Sequence, residues 1–140
     1  MASVIYDQFK SDLMASNVNL SSATIYTMLV TSGYSPNVKT DLMRSNVTNE
    51  VTGTGYTSGG ASITGLSVAT DTTNDAGWWT GNNVSWSSST ITARGAVVFK
   101  STGAATTDRL ICYFDFGSDQ TSTNGTFTIQ WSTSGIIRLT

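Results

Sequence analysis

The segments Thr90-Ile91-Thr92-Ala93-Arg94-Gly95-Ala96-Val97-Val98-Phe99-Lys100, Arg109-Leu110-Ile111-Cys112-Tyr113-Phe114-Asp115-Phe116 and Thr126-Phe127-Thr128-Ile129-Gln130-Trp131 decide the fold. Each alternates with a period of two over β-branched and aromatic residues, the mark of a half-buried strand. The first segment sets Ile91, Ala93, Gly95, Val97 and Phe99 against Thr90, Thr92, Arg94 and Lys100. The second sets Leu110, Cys112, Phe114 and Phe116 against Ile111, Tyr113 and Asp115. In the third, Phe127, Ile129 and Trp131 oppose Thr126, Thr128 and Gln130. The connections 101–108 and 117–125 are rich in turn residues, and the second ends in the tight-turn pair Asn124-Gly125. Antiparallel neighbours are the economical arrangement.

Outward from this stretch, shorter strands are expected. Thr24–Thr31 is apolar on both faces, with Ile25, Thr27 and Leu29 opposite Tyr26, Met28 and Val30, and this predicts burial on both sides. Ile63–Thr70 and Gly77–Trp86 flank a polar turn, Asp71–Asp75, and Ile136–Leu139 closes the series. Segment 37–49 is ambiguous, with a helical turn possible at Asp41–Arg44. The one good helix lies at Ser3–Ser16, where Ile5, Tyr6, Phe9 and Leu13 form an apolar stripe and Ser3 can cap the N-terminus. Strands at regular spacing with polar turns predict a mainly β protein. The expected form is an antiparallel β-sandwich or jelly-roll-like barrel with a short N-terminal α-helix, a single domain over residues 1–140.

The composition narrows function by what it lacks. Charged residues make up 11% of the chain while 39% are hydrophobic, which points to a folded Thr- and Ser-rich β-domain, not a disordered one. Net charge is −2 with no basic stripe, so no nucleic-acid partner is expected. No polybasic or amphipathic anchor and no span-length apolar run is present, so no membrane partner is expected either. The opening Met1-Ala2-Ser3-Val4 lacks the charged-then-apolar pattern of an export signal, and synthesis in a host cytoplasm is the expectation. The chain has no His, which removes the usual Ser-His and Cys-His catalysts and the commonest zinc ligand. The single cysteine, Cys112, falls on an apolar strand face and is expected to be a buried thiol.

Local patterns that imitate active sites read as ordinary structure. Gly53, Gly55, Gly59 and Gly60 lack the flanking helix and Lys of a phosphate loop. Asp71–Asp75 lacks the spacing and closing Glu of a calcium loop, so a solvated turn is expected. Asp115 and Asp119 supply the two carboxylates of a glycosidase, with nothing in the sequence to mark either as buried. The expectation is a non-enzyme with no cofactor, no metal and no catalytic residue.

The stretches 53–60, Asn82-Asn83-Val84-Ser85-Trp86, Ser89–Lys100, Phe114-Asp115-Phe116-Gly117-Ser118-Asp119-Gln120 and Asn124–Trp131 resemble those of a group of small virion structural proteins of tailed bacteriophages. The opening Tyr6-Asp7-Gln8-Phe9-Lys10 and the run 25–34 are similar too, so the resemblance covers nearly the whole chain. Trp78-Trp79 departs from that pattern, which is less aromatic there. The resemblance implies a capsid decoration (cement) protein on the outer capsid surface of the virion. Its partners would be the major capsid protein and further copies of itself, a homo-oligomer expected as a trimer before a dimer. Tyr6, Phe9 and Leu13 on the helix stripe, or Trp78 and Trp79, are the candidate subunit or capsid contacts. The alternative is a tail or fibre component or glycan-binding virion module, with Trp78, Trp79, Asn82 and Asn83 as its site.

Overall fold

The computed structural model describes residues 3–140; Met1 and Ala2, the start of the segment read for an export signal, lie outside the described residues. Its centre is a long antiparallel hairpin. Strand β6 (Val84–Lys100) and strand β7 (Arg109–Ile129) pair from Val84↔Ile129 at one end to Lys100↔Arg109 at the other. Strand β2 (Ile25–Val30) joins β6, the two-residue strand β3 (Ala61–Ser62) joins β2, and the two-residue strand β1 (Val4–Ile5) joins β7. The resulting sheet has the order β1-β7-β6-β2-β3. A second sheet, β4-β5-β8, is built from β4 (Ser67–Asp71), β5 (Ala76–Thr80) and β8 (Ile137–Leu139). All these pairings are antiparallel, and Trp79 and Ile137 of the small sheet share one core with Ile25, Leu29, Ala96, Val98 and Ile111 of the large one. This is the sandwich-like member of the two expected β architectures.

The large sheet is buried on both faces around β2, as the apolar character of Thr24–Thr31 predicts. Ile25 and Leu29 enter the core between the sheets. Met28 and Val30 enter a second cluster with Tyr6, Tyr34, Val97, Phe99, Leu110 and Tyr113. Segment 31–50, with a short 3-10 turn at Arg44–Asn46, crosses that side and contributes Tyr34 and Val47. Arg44 pins it down: its Nε donates to Asp108 Oδ2 at 2.7 Å and its guanidinium lies 5.2 Å from the centre of the Phe99 ring.

The turn signals of 117–125 have another outcome than a hairpin turn. Strand β7 runs straight through them, and its residues 126–129 pair with the start of β6 instead of folding back on Arg109–Phe116. Gly117 (φ +81°) lies where β7 advances from Asp115 to Gln120 while β6 steps only from Gly95 to Ala93, and Asn124 (φ +47°) lies in a second bulge, between Ser122 and Gly125 of β7 opposite Ile91 and Ser89. Each bulge changes the parity of side chains. Ile91 and Ala93 therefore share the inter-sheet core with Ala96 and Val98, while Val97 and Phe99 face the second cluster, against the simple alternation. A further shift between Val98 and Phe99 puts Leu110 with Tyr113 and puts Ile111 with Cys112. On the outer face the Thr-rich pattern pairs hydroxyls across the strands, Ser85 with Thr128 at 2.9 Å and Thr92 with Thr121 at 3.0 Å.

The helix is shorter than the stripe suggests. Helix α1 covers Asp7–Met14, and Val4–Ile5 is drawn into the sheet opposite Tyr113 and Cys112. Ser3 is therefore no helix cap; its Oγ accepts the Asp115 N–H at 3.0 Å. Near the other end of α1, buried Asp12 accepts from Gln8 Nε2, Asn17 Nδ2 and, at 2.6 Å, Arg109 Nη1, which fastens the helix to β7. Among the described residues no helix is long and apolar enough to cross a membrane.

Candidate functional site

The small sheet and the helix enclose an apolar groove of about 430 Å³. Strand pairing explains its floor. Val68 lies opposite Trp79 and Trp79 opposite Ile137, while Gly77 lies opposite Leu139. Directly paired residues and residues two apart share a face, so all five point the same way. Trp79 and Ile137 are buried in the shared core; Val68 and Leu139, at the outer ends of the row, stay 56% and 52% exposed. Gly77 leaves the floor open between them, since a Cβ there would meet nothing within 4 Å. The opposite wall comes from Phe9 and Leu13, one turn apart on α1, and from Val18 and Leu20 in the segment after it. Trp79 Nε1 donates to the Leu20 carbonyl at 3.0 Å, holding the wall to the floor.

This groove gathers half of the exposed large hydrophobic residues among those described. Four large hydrophobic residues are exposed among those described, and two of them, Val68 and Leu139, line it. A third, Met14 at 83% exposure, ends α1 next to the lining residue Leu13. Apolar lining with few polar groups suits a protein side chain as occupant better than a charged small molecule.

Trp78 points to the other face of the small sheet. It lines a shallow polar depression with Asp71, Asn74, Ser134 and Arg138. Asp71 accepts the Thr73 and Asn74 N–H groups, the Asn74 side-chain amide at 2.8 Å and Arg138 Nη2 at 2.5 Å. Asn74 and then Arg138 hold its carboxyl down to about 2. That is the geometry of an Asx turn closed by an ion pair.

The five candidate contacts of the sequence separate accordingly. Tyr6 (0% exposed), Phe9 (2%) and Trp79 (2%) belong to the protein's own core, and Phe9 and Trp79 meet the groove only as its nearly buried wall and floor. Tyr6 is drawn in because its hydroxyl pairs with that of Tyr34 at 2.7 Å, which in turn donates to Asp41. Burial first, then the Tyr34 bond, raises the Tyr6 pKa far above its usual value. Leu13 and Trp78 keep partial exposure, Leu13 on the groove and Trp78 on both the groove and the polar depression. The proposed glycan set does not converge either. Asn82 donates to Thr64 Oγ1 and accepts from Trp131 Nε1 at its carbonyl, and Asn83 Oδ1 accepts from the Trp131 N–H; neither lines the Trp78 depression. Sequence reasoning missed Val68, Gly77 and Leu139, whose one signal is an apolar or absent side chain among polar neighbours in short strands.

Asp115, weighed as one of a glycosidase pair, is committed to structure. Asp115 accepts from the Gly117 N–H at 2.9 Å and Arg94 Nε at 3.0 Å, which hold its carboxyl well below the usual range, the wrong direction for a glycosidase acid. Asp108 is buried; burial works to raise its pKa, but bonds from Thr102 and Arg44 outweigh it and the net shift is downward. Cys112 is buried and its thiol is pushed up by burial alone. Among the described residues no cluster of three or more Cys, Asp or Glu side chains is placed to hold a metal ion. No protein-family model, no curated protein and no solved structure matches the chain.

Proposed function

We propose that the protein is a non-enzymatic capsid decoration (cement) protein, binding the assembled shell of a tailed bacteriophage through the groove between α1 and the small sheet. The observation that carries the reading is that the exposed side chains Val68 and Leu139 line one apolar concavity. The outer face of the β6–β7 hairpin, by contrast, carries hydroxyls paired across the strands. A contiguous apolar patch of this kind marks a protein contact. The long stretches that resemble phage virion proteins, above all Ile91–Lys100, support the major capsid protein as the partner. In mechanism the protein is passive: many copies bind the outer face and bridge adjacent shell subunits. Binding confined to the assembled state stabilises that state by mass action.

The test is a copy count in purified particles, with heads and tails separated and this chain quantified against the major capsid protein. Hundreds of copies on heads are expected. A few copies confined to tails would overturn the reading and favour a tail or fibre component. The glycan-binding alternative has one observation of its own, Trp78 beside Asp71, Asn74 and Arg138. It predicts saturable quenching of tryptophan fluorescence by a glycan, abolished in Trp78→Ala.

A further inference from the structure

We infer that β4 is a self-pairing edge, joining two copies of this chain into a continuous six-stranded sheet about a two-fold axis. The argument begins with how the other edges are managed. A free edge strand is a template for another strand, and proteins blunt it by shortness, charge, proline, bulges or cover. The outer strands of the large sheet, β1 and β3, have two residues each. Strand β8 has three, carries Arg138, and borders a shallow cleft with Val4 and Ile5 of β1. Strand β4 has five residues, pairs with β5 without a register shift, and holds no Lys, Arg or Pro. Ser67, Val68 and Thr70 are exposed, and its one charge, Asp71, is already paired with Arg138.

The strand is also complementary to itself. An antiparallel pair centred on Ala69 uses its whole length. It sets Ser67 against Asp71 of the partner subunit and Val68 against Thr70 of the partner subunit. Like charges do not meet, and a hydroxyl faces the only carboxylate. A two-fold perpendicular to the sheet keeps faces together, so both grooves open on the same side. Five residue pairs make a small interface, below the usual range for a stable complex, so the free dimer belongs to the weak, micromolar class. The pairing does not depend on the cement reading; its consequence does. Two grooves on one face would bind two shell subunits at once, and the weak self-contact would be reinforced on the shell.

The experiment uses the full chain in solution. Sedimentation equilibrium over a wide concentration range should show a monomer–dimer equilibrium, and Val68→Lys, at an exposed position, should weaken it at least tenfold with an unchanged far-ultraviolet spectrum. Register is tested by cysteine. In Ala69→Cys the two thiols face each other across the axis at roughly 4.5–5.5 Å between Cα atoms, within disulfide reach. Oxidised glutathione should convert them to one intermolecular disulfide, itself being reduced. In Ser67→Cys the same thiols would lie about 14 Å apart along the strands and should not join. A chain that stays monomeric, or that cross-links equally well from both positions, overturns the inference. So does an Ala69→Cys chain that cross-links only to shell protein, which would make β4 a heterotypic edge. Loss of shell binding in a chain that still dimerises would count against the cement reading alone.

Discussion

Replacing Gly60 and Gly77 by alanine applies one chemical change at two sites where the structure demands opposite results. Gly60 sits at φ +77° where the chain enters β3, and a Cβ there would lie 1.9 Å from the Thr27 carbonyl oxygen and 2.7 Å from the Met28 Cα. Both are backbone atoms of β2, so no side chain can swing aside. The left-handed conformation costs an L-residue about 1–2 kcal/mol, and displacing packed backbone adds about 1–3 kcal/mol. Gly60→Ala should therefore lose about 2–5 kcal/mol, and β3 should move away from β2. At this chain length that is a fall in Tm of roughly 6–15 °C. Gly77 has ordinary backbone geometry in the middle of the small sheet, with nothing within 4 Å of the added carbon. There alanine removes the entropic disadvantage of a strand glycine and should gain about 0.5–1 kcal/mol. Urea unfolding followed by tryptophan fluorescence, with calorimetry for Tm, reads both. Two variants that unfold at the same urea concentration, with unchanged m-values, would refute the reasoning.

Three other outcomes follow from the same contacts. Gly77→Leu should fill the groove floor, leave Tm within a few degrees, and weaken binding to assembled shells roughly tenfold or more, the loss of burying one apolar side chain of about 1.5–3 kcal/mol; pelleting with shells measures it. Stability should be level between about pH 5 and 8, because the chain has no His and Asp71, Asp108 and Asp115 are all lowered, away from that window. Below this, Asp71, Asp108 and Asp115 are depressed in the folded state, so the unfolded chain takes up protons first and stability falls as pH drops from about 4 toward 2. Above about pH 10 the sign reverses, since Tyr6, Tyr34 and Tyr56 are raised and only their unfolded forms ionise; thermal melts across pH check both arms. Finally, Cys112 should be silent to a thiol reagent in the native protein and react fully in denaturant.

The strands were legible in the sequence because Ile91, Val98, Phe114, Phe127 and Ile129 belong to strands whose apolar faces must be buried, and burial enforces alternation. Which core each residue enters was not legible. Parity depends on bulges, and a bulge such as that at Gly117 or Asn124 uses the same residues as a turn. The helix stripe was read correctly as apolar at Ile5, Tyr6, Phe9 and Leu13, but Ile5 is apolar because it is in β1 and Tyr6 because it faces Tyr34. Long-range pairing overrode local propensity there. At the candidate site, the sequence singled out Leu13, Trp78 and Trp79, which the fold brings to the groove, but not Val68, Gly77 or Leu139, which line it with them. Adjacent residues of a strand face opposite ways, so of the two tryptophans only Trp78 keeps exposure. The lining residue Leu139 gains its role from pairing with Gly77, far away in sequence.

The topology also orders events in time. The β6–β7 hairpin is closed by the short connection 101–108, whose Asp108 carboxylate collects the Thr102 N–H and hydroxyl, so it can form early and by local search. The first strand has no such option. Val4 and Ile5 pair with Tyr113 and Cys112, which follow them by more than a hundred residues. At roughly 5–20 residues per second, a nascent chain spends on the order of 5–20 s with its opening segment unpartnered. During that interval Tyr6 and Phe9, both core residues in the finished fold, are open to chaperones and to other chains. Refolding from denaturant, where both ends are available at once, escapes this delay, and a difference in yield between synthesis and refolding would trace to that one strand.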